Sequence, residues 1–128
     1  MLLIETKLDG SPIHRFGIFA ITQIKEETPI WRFTPGFDLD LHPTALDMHP
    51  DHFRQVMMQY GYIDCRLHRF ILCCDNYRFI NHCDNPNVVS DRSGDMYGVD
   101  LAARDIWPGE ELTIDYQDVE GVRPRRLD

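Results

Sequence analysis

Arg78-Phe79-Ile80-Asn81-His82-Cys83-Asp84-Asn85-Pro86-Asn87 is the stretch on which the reading of this chain turns. An apolar run ends in Asn-His and is followed by a turn locked by proline, an order that core packing alone does not demand. Taken by themselves, Asn81 and His82 read as capping or turn groups at the end of an apolar strand, their polar atoms satisfied by backbone. Further on, Gly109-Glu110-Glu111-Leu112-Thr113-Ile114-Asp115-Tyr116 gives a second strand that closes on Asp-Tyr. Near the start, His14-Arg15-Phe16-Gly17-Ile18-Phe19-Ala20 places a glycine at the mouth of a strand, where the missing Cβ allows another group to approach the backbone closely.

Taken together and in this order, the three segments resemble the signature motifs of the SET-domain family, protein-lysine methyltransferases that use S-adenosylmethionine, and in particular its short single-domain bacterial and viral members. The motifs run from residue 14 to residue 116, most of the chain. The resemblance implies a mainly β fold, α+β with little helix: small β-sheets around a knot-like C-terminal crossing, threaded beneath the loop that carries Asn-His, with one helical insertion at about 43–62. The SET domain would occupy 1–116, and 117–128 would form a short C-terminal tail.

The same resemblance assigns roles. S-adenosyl-L-methionine would be held by Arg15, Phe16 and Gly17 of the glycine loop and by Arg78, Phe79, Asn81 and His82 of the central motif. The family loop usually has a glycine two positions before Gly17, where this chain has Arg15. Tyr116 would be the catalytic residue, its hydroxyl aimed at the lysine nitrogen and the transferring methyl, while Asp115 fixes local backbone. Tyr60, Tyr62, Tyr97 and Ile114, with Phe79, are candidates for the substrate-lysine channel. Ile114 stands two before Tyr116, where many relatives carry Phe or Tyr. Isoleucine has no hydroxyl to retain a water in the channel, so di- or trimethylation is expected. Many members bind a structural zinc through a cysteine of the central motif and three from a C-terminal extension. Here Cys83-Asp84 follows His82 and the tail carries no cysteine, so no metal is expected.

Composition is compatible with this reading. A chain of 128 residues is one domain's worth, with 43% hydrophobic and 27% charged residues, too apolar for a disordered protein. The four cysteines, Cys65, Cys73, Cys74 and Cys83, form no CxxC pair and read as reduced, packed thiols. Met1-Leu2-Leu3-Ile4 is followed at once by Glu5, too short for a signal-peptide core, and no apolar run approaches a membrane span, so a soluble, cytoplasmic protein is expected. The formal charge of −8 favours basic partners over nucleic acid, or serves solubility alone. Arg123, Arg125 and Arg126 make the tail locally basic, as a solvated end. The acceptor expected is therefore a lysine in a basic protein segment. A catalytically inactive SET-like binding module and a methyltransferase acting on a small amine remain open. Because the tail lacks aromatics, a second copy in a homodimer, or the substrate itself, would complete the channel wall.

A pass along the chain predicts short strands at Leu2-Leu3-Ile4, Ile18–Ile21, Thr28–Phe33, Phe70–Cys74, Tyr97–Ala103 and Leu112–Tyr116, with Gly10-Ser11-Pro12 as a turn. The stretch 50–60 is the best helix, since Phe53, Val56, Met57 and Tyr60 fall at i, i+3, i+4 and i+7. No GxGxxG pattern supports a doubly wound nucleotide-binding sheet.

Overall fold

The computed structural model describes residues 1–120; Arg123, Arg125 and Arg126 of the tail lie outside the described residues. The chain opens with a hairpin, β1 (Thr6–Gly10) against β2 (Phe16–Ala20), paired antiparallel from Thr6↔Ala20 to Gly10↔Phe16. Gly10-Ser11-Pro12 turns the chain, as its composition predicts. The strand expected at Leu2-Leu3-Ile4 is reduced to one bridge, Leu2↔Trp31, and the regular strand begins at Thr6. Four of the five β1 residues are exposed, so this strand carries no apolar alternation by which it could be read from sequence.

Five strands form the central sheet: β3 (Pro29–Arg32), β7 (Asn81–His82), β8 (Val88–Asp91), β9 (Val99–Ala102) and β10 (Thr113–Ile114), in the order β3-β9-β8-β10-β7. The C-terminal strand β10 lies between β7 and β8 and runs parallel to both, with Ile114 opposite His82 on one side and Val88 on the other. Residues 83–87, which join β7 to β8, therefore cross β10, and this is the knot-like crossing. Parallel strands usually need a long connection, but β7 is only two residues long, so a short link suffices.

A second sheet is made by β4 (Leu39–Leu41), β5 (Tyr62–Asp64) and β6 (Arg69–Leu72), in the order β4-β6-β5. Between β4 and β5 lie a 3-10 turn, Pro43–Leu46, and helix α1 (Asp51–Tyr60). The periodic stripe of α1 does not enter the core: none of its residues is buried, Phe53 and Val56 are exposed, and Tyr60 is half-buried. Gly61 ends the helix where Phe70 packs against the backbone, and a Cβ there would lie 2.3 Å from the Phe70 ring. Two polar struts join this sheet to the β8–β9 loop. Arg92 pairs with the fully buried Asp64 at 2.5 Å, and Asp40, which accepts from Arg69, also accepts the hydroxyl of Tyr97.

The core joins these layers through Ile18, Ile30, Trp31, Ile71, Val88, Ile106, Leu112 and Ile114, with Trp31 stacked on Tyr77 at 5.4 Å. Arg78 and Phe79 are not in a strand, contrary to the sequence reading. Asn76–Phe79 is a 3-10 turn whose preceding residue, Asp75, accepts the N–H of Tyr77 at 3.2 Å. A local aspartate cap competes with strand formation, so only Asn81–His82 of that motif extends. Helix α2 (Tyr116–Glu120) follows β10 directly. Among the described residues no helix is long and apolar enough to cross a membrane.

Candidate active site

The loop 11–15, between β1 and β2, is held by side chains from two other segments. Asn81, buried at the start of β7, donates through Nδ2 to the carbonyl of Phe16 at 2.9 Å and lies 3.3 Å from that of His14. The same nitrogen donates to Glu111 Oε2 at 2.8 Å. Ser11 Oγ lies 2.7 Å and 2.9 Å from the two Glu111 oxygens. Gly17 passes directly beneath this cluster: a Cβ there would sit 2.3 Å from Glu111 Oε2 and 3.2 Å from Asn81 Nδ2. Thus the glycine is required by the protein's own carboxylate. Arg15, at the position where the resemblance leads one to expect glycine, has φ +31°, in the left-handed region. That conformation costs a residue with a Cβ about 1–2 kcal/mol, and the loop's hydrogen bonds offset it.

The Asn-His and Asp-Tyr motifs meet across the β7–β10 pair. His82 Nδ1 accepts the backbone N–H of Tyr116 at 3.1 Å, which leaves the ring proton on Nε2, 2.8 Å from Asp84 Oδ1. The His82 and Tyr116 rings meet edge to face at 5.4 Å. Tyr116 is buried and its hydroxyl donates to the carbonyl of Ile80 at 2.5 Å. Asp115 accepts the N–H of Gln117 at 3.0 Å, a backbone role at the start of α2. Asn87, after the proline, clamps the entry to β10: it accepts the N–H of Thr113 at 2.9 Å and donates to the carbonyl of Glu111 at 2.8 Å.

A cavity of about 230 Å³ opens between the loop and the end of α1, lined by Leu8, His14, Arg15, Phe16, Gln59, Tyr60 and Phe79. Phe79 forms edge-to-face contacts with Phe16 at 6.5 Å and with Tyr60 at 5.6 Å. The fold therefore gathers Arg15 and Phe16, Phe79 and Tyr60 from three distant segments. The other predicted residues lie elsewhere. Arg78 donates to the carbonyls of Asp75 and Cys74 at 3.3 Å. Tyr62 is half-buried against the core, where burial pushes its hydroxyl well above the usual tyrosine pKa. Tyr97 stacks on Phe33 at 3.9 Å, and its hydrogen bond to Asp40 raises its pKa to about 12. Ile114 is buried in the core, between His82 and Val88 in the sheet. Sequence reasoning did not assign Ser11, Glu111 or Asn87. Glu111 and Asn87 stand inside the quoted motifs, whereas Ser11 gave only a turn signal. Among the described residues no group of three or more His, Cys, Asp or Glu is arranged to hold a metal ion, and the four cysteines are free thiols.

The fold is similar to that of a Plasmodium falciparum protein proposed to be a histone methyltransferase, with a TM-score of 0.59 at 19% identity over 90% of this chain and 95% of that one. It is also similar to a humanized mutant of the Chaetomium thermophilum Polycomb Repressive Complex 2, solved with the inhibitor GSK126, with a TM-score of 0.63 at 19% identity over 91% of this chain and 15% of that one. No curated protein matches the sequence. The SET-domain family is matched over residues 15–117. With the crossed β10, the Asn-His and Asp-Tyr motifs in contact and the family matched across most of its length, the chain belongs to the SET-domain family.

Proposed function

We propose that this chain is an S-adenosylmethionine-dependent protein-lysine N-methyltransferase acting on a lysine in a basic protein segment. The observation that carries the reading is the joining of Tyr116 to the central motif. Its N–H is held by His82 and its hydroxyl by the Ile80 carbonyl, so the phenol is placed by the same segment that carries Asn81.

The residues around the cavity fit the cofactor by chemistry. Ligand pockets are mostly apolar with a few polar groups, at about 300–1,000 Å³. A cavity of about 230 Å³ walled by Leu8, Phe16, Tyr60 and Phe79, with Arg15, His14 and Gln59 as polar members, suits one portion of such a molecule. Arg15, Phe16, Phe79 and the backbone of the Asn81-His82 strand would hold it. When bound, the cofactor supplies an electrophilic methyl on a sulfonium, already a good leaving group.

What remains for the chain is to present a neutral amine. Lysine's pKa of about 10.4 makes its deprotonation near pH 7 cost roughly 4–5 kcal/mol, and apolar walls lower that cost by disfavouring the ammonium. Tyr116 suits the reacting centre because its proton is committed to the Ile80 carbonyl. Its oxygen is therefore presented as an acceptor for N–H or polarised C–H groups. Holding both reactants in one geometry contributes about 7–11 kcal/mol in well-oriented cases. The charge of −8 supports attraction of a basic segment, screened over about 8–10 Å at ordinary ionic strength. A second copy of the chain is one way to complete the channel wall.

The test is calorimetry with S-adenosylmethionine, followed by incubation with labelled cofactor and basic protein substrates over a range of salt. Saturable binding, label on lysine and turnover that falls with salt are expected. Absence of cofactor binding would leave a protein-binding module, and label confined to small amines would replace the substrate class.

A further inference from the structure

We propose that Ser11 and Glu111 are positioning residues that clasp the 11–15 loop and the start of β2 in the shape that receives the cofactor, with Asn81 acting through its side chain on the loop. The inference rests on the cofactor-binding reading above and concerns how this chain prepares for it.

The Ser11 hydroxyl, the Asn81 amide nitrogen and the Glu111 carboxylate are bonded to one another and to the loop. Besides the two Glu111 oxygens, Ser11 Oγ accepts the N–H of Ile13 at 3.0 Å and lies 3.4 Å from that of His14 and 3.2 Å from Asn81 Nδ2. The Ser11 N–H donates to the carbonyl of Arg15 at 3.0 Å, closing the loop on itself. The carbonyl of Phe16 is taken by Asn81, so the inward-facing backbone of 13–16 is spent on the clasp. What this segment presents to the cavity is His14, Arg15 and Phe16.

The arrangement also explains how Arg15 is held at positive φ. A hydroxyl and an amide that each bond to the same carboxylate fix both ends of the loop to β10's approach, and charge-assisted bonds of this kind are the stronger ones. Gly17 permits it, because any side chain there would displace the carboxylate. Glu111 is therefore a hub: its carboxylate binds the loop and Asn81, and its carbonyl is held by Asn87. Loss of the Ser11 hydroxyl frees the loop without touching either the cavity wall or Tyr116. Its consequence is a cofactor site that must be ordered by the ligand, and binding then carries the ordering cost.

The experiment uses the full chain with Ser11→Ala, Ser11→Thr and Ser11→Asp, the last also combined with Glu111→Gln. Amide hydrogen exchange of residues 13–17 is measured without cofactor, S-adenosylmethionine affinity by calorimetry, and KM for cofactor separately from kcat. Ser11→Ala is expected to speed loop exchange at least tenfold and weaken cofactor affinity about tenfold, with KM rising far more than kcat falls. Ser11→Thr, which keeps the hydroxyl, should restore both. Ser11→Asp sets a second carboxylate against Glu111 and should lose more than Ser11→Ala, with part of that loss recovered by Glu111→Gln. Wild-type affinity and wild-type loop exchange in Ser11→Ala would overturn the proposal while leaving the methyltransferase reading intact. A wild-type chain that does not bind the cofactor would overturn both. Loss of kcat with unchanged affinity would also overturn it, since the clasp would then act on the chemistry and not on the loop. Should Ser11→Asp, alone or with Glu111→Gln, fail to fold, the comparison of Ser11→Ala with Ser11→Thr decides the matter; should Ser11→Ala fail to fold, exchange and affinity in Ser11→Thr alone decide it, and slow exchange with wild-type affinity there is required.

Discussion

Asp100→Asn should stabilise the protein at neutral pH and much less in acid. Asp100 is buried on β9; it accepts the hydroxyl of Tyr77 at 2.6 Å and is paired in register with Ser90. Burial pushes its pKa from 3.8 up to about 6, against the lowering effect of its hydrogen bond to Tyr77 and of Arg92 nearby. An acid whose folded pKa is raised lends its stability below the unfolded pKa, and that stability is lost as pH rises through the folded pKa. At 1.36 kcal/mol for each tenfold in proton affinity, the ionised carboxylate costs about 3 kcal/mol above pH 7. By the same linkage about 1 kcal/mol is lost at pH 4.5, where the unfolded chain is already mostly ionised. Asparagine keeps an acceptor for Tyr77 and carries no charge. The gap between variant and wild type should therefore widen by about 2 kcal/mol between pH 4.5 and pH 7.5. Asp38 and Asp40, whose pKa values are lowered, act below this window and in both proteins alike. Guanidinium unfolding followed by the fluorescence of buried Trp31 measures the gap at each pH. An equal gap at both pH values, or a variant less stable than wild type at pH 7.5, would refute the reasoning.

Gly17→Ala should cost about 2–4 kcal/mol through loss of the charged hydrogen bonds that Glu111 makes to Ser11 and Asn81, and less than 1 kcal/mol once Glu111 is alanine; a double-mutant cycle on unfolding free energies checks it. Tyr116→Phe loses the bond to the Ile80 carbonyl, so stability should fall by about 1 kcal/mol while methyl transfer falls at least tenfold and cofactor affinity holds; near-normal turnover would show the tyrosine to be structural only. Exhaustive reaction on the preferred lysine should pass beyond monomethylation, as mass spectrometry will show, and product that stops at one methyl would remove Ile114 from the channel. Because Ile114 is buried in the core, Ile114→Tyr should also destabilise the chain by about 1–3 kcal/mol through overpacking, which denaturant unfolding measures.

The order and chemistry of the three motifs were enough to name the family, because Asn81-His82, Asp115-Tyr116 and Gly17 form a pattern that packing does not require. Alternation and periodicity also located β3, β6, β9 and the span of α1. Other features depend on partners remote in sequence. The strands expected over Leu112–Tyr116 and ending in Asn81-His82 shorten to two residues each, β10 and β7, whose extent is set by their parallel pairing with one another. The exposed hairpin strand β1 carries polar residues on both faces, and Arg78-Phe79 turns into a 3-10 helix because Asp75 caps it locally. Local pattern placed α1 correctly yet could not tell that its stripe would stay out of the core, with Tyr60 reaching the surface cavity and the core left to the sheets. The clasp of Ser11, Asn81 and Glu111 and the buried Asp100 were decided by tertiary structure alone. A carboxylate's role depends on which donors and how little water surround it, and those come from residues brought together only when β10 passes between β7 and β8.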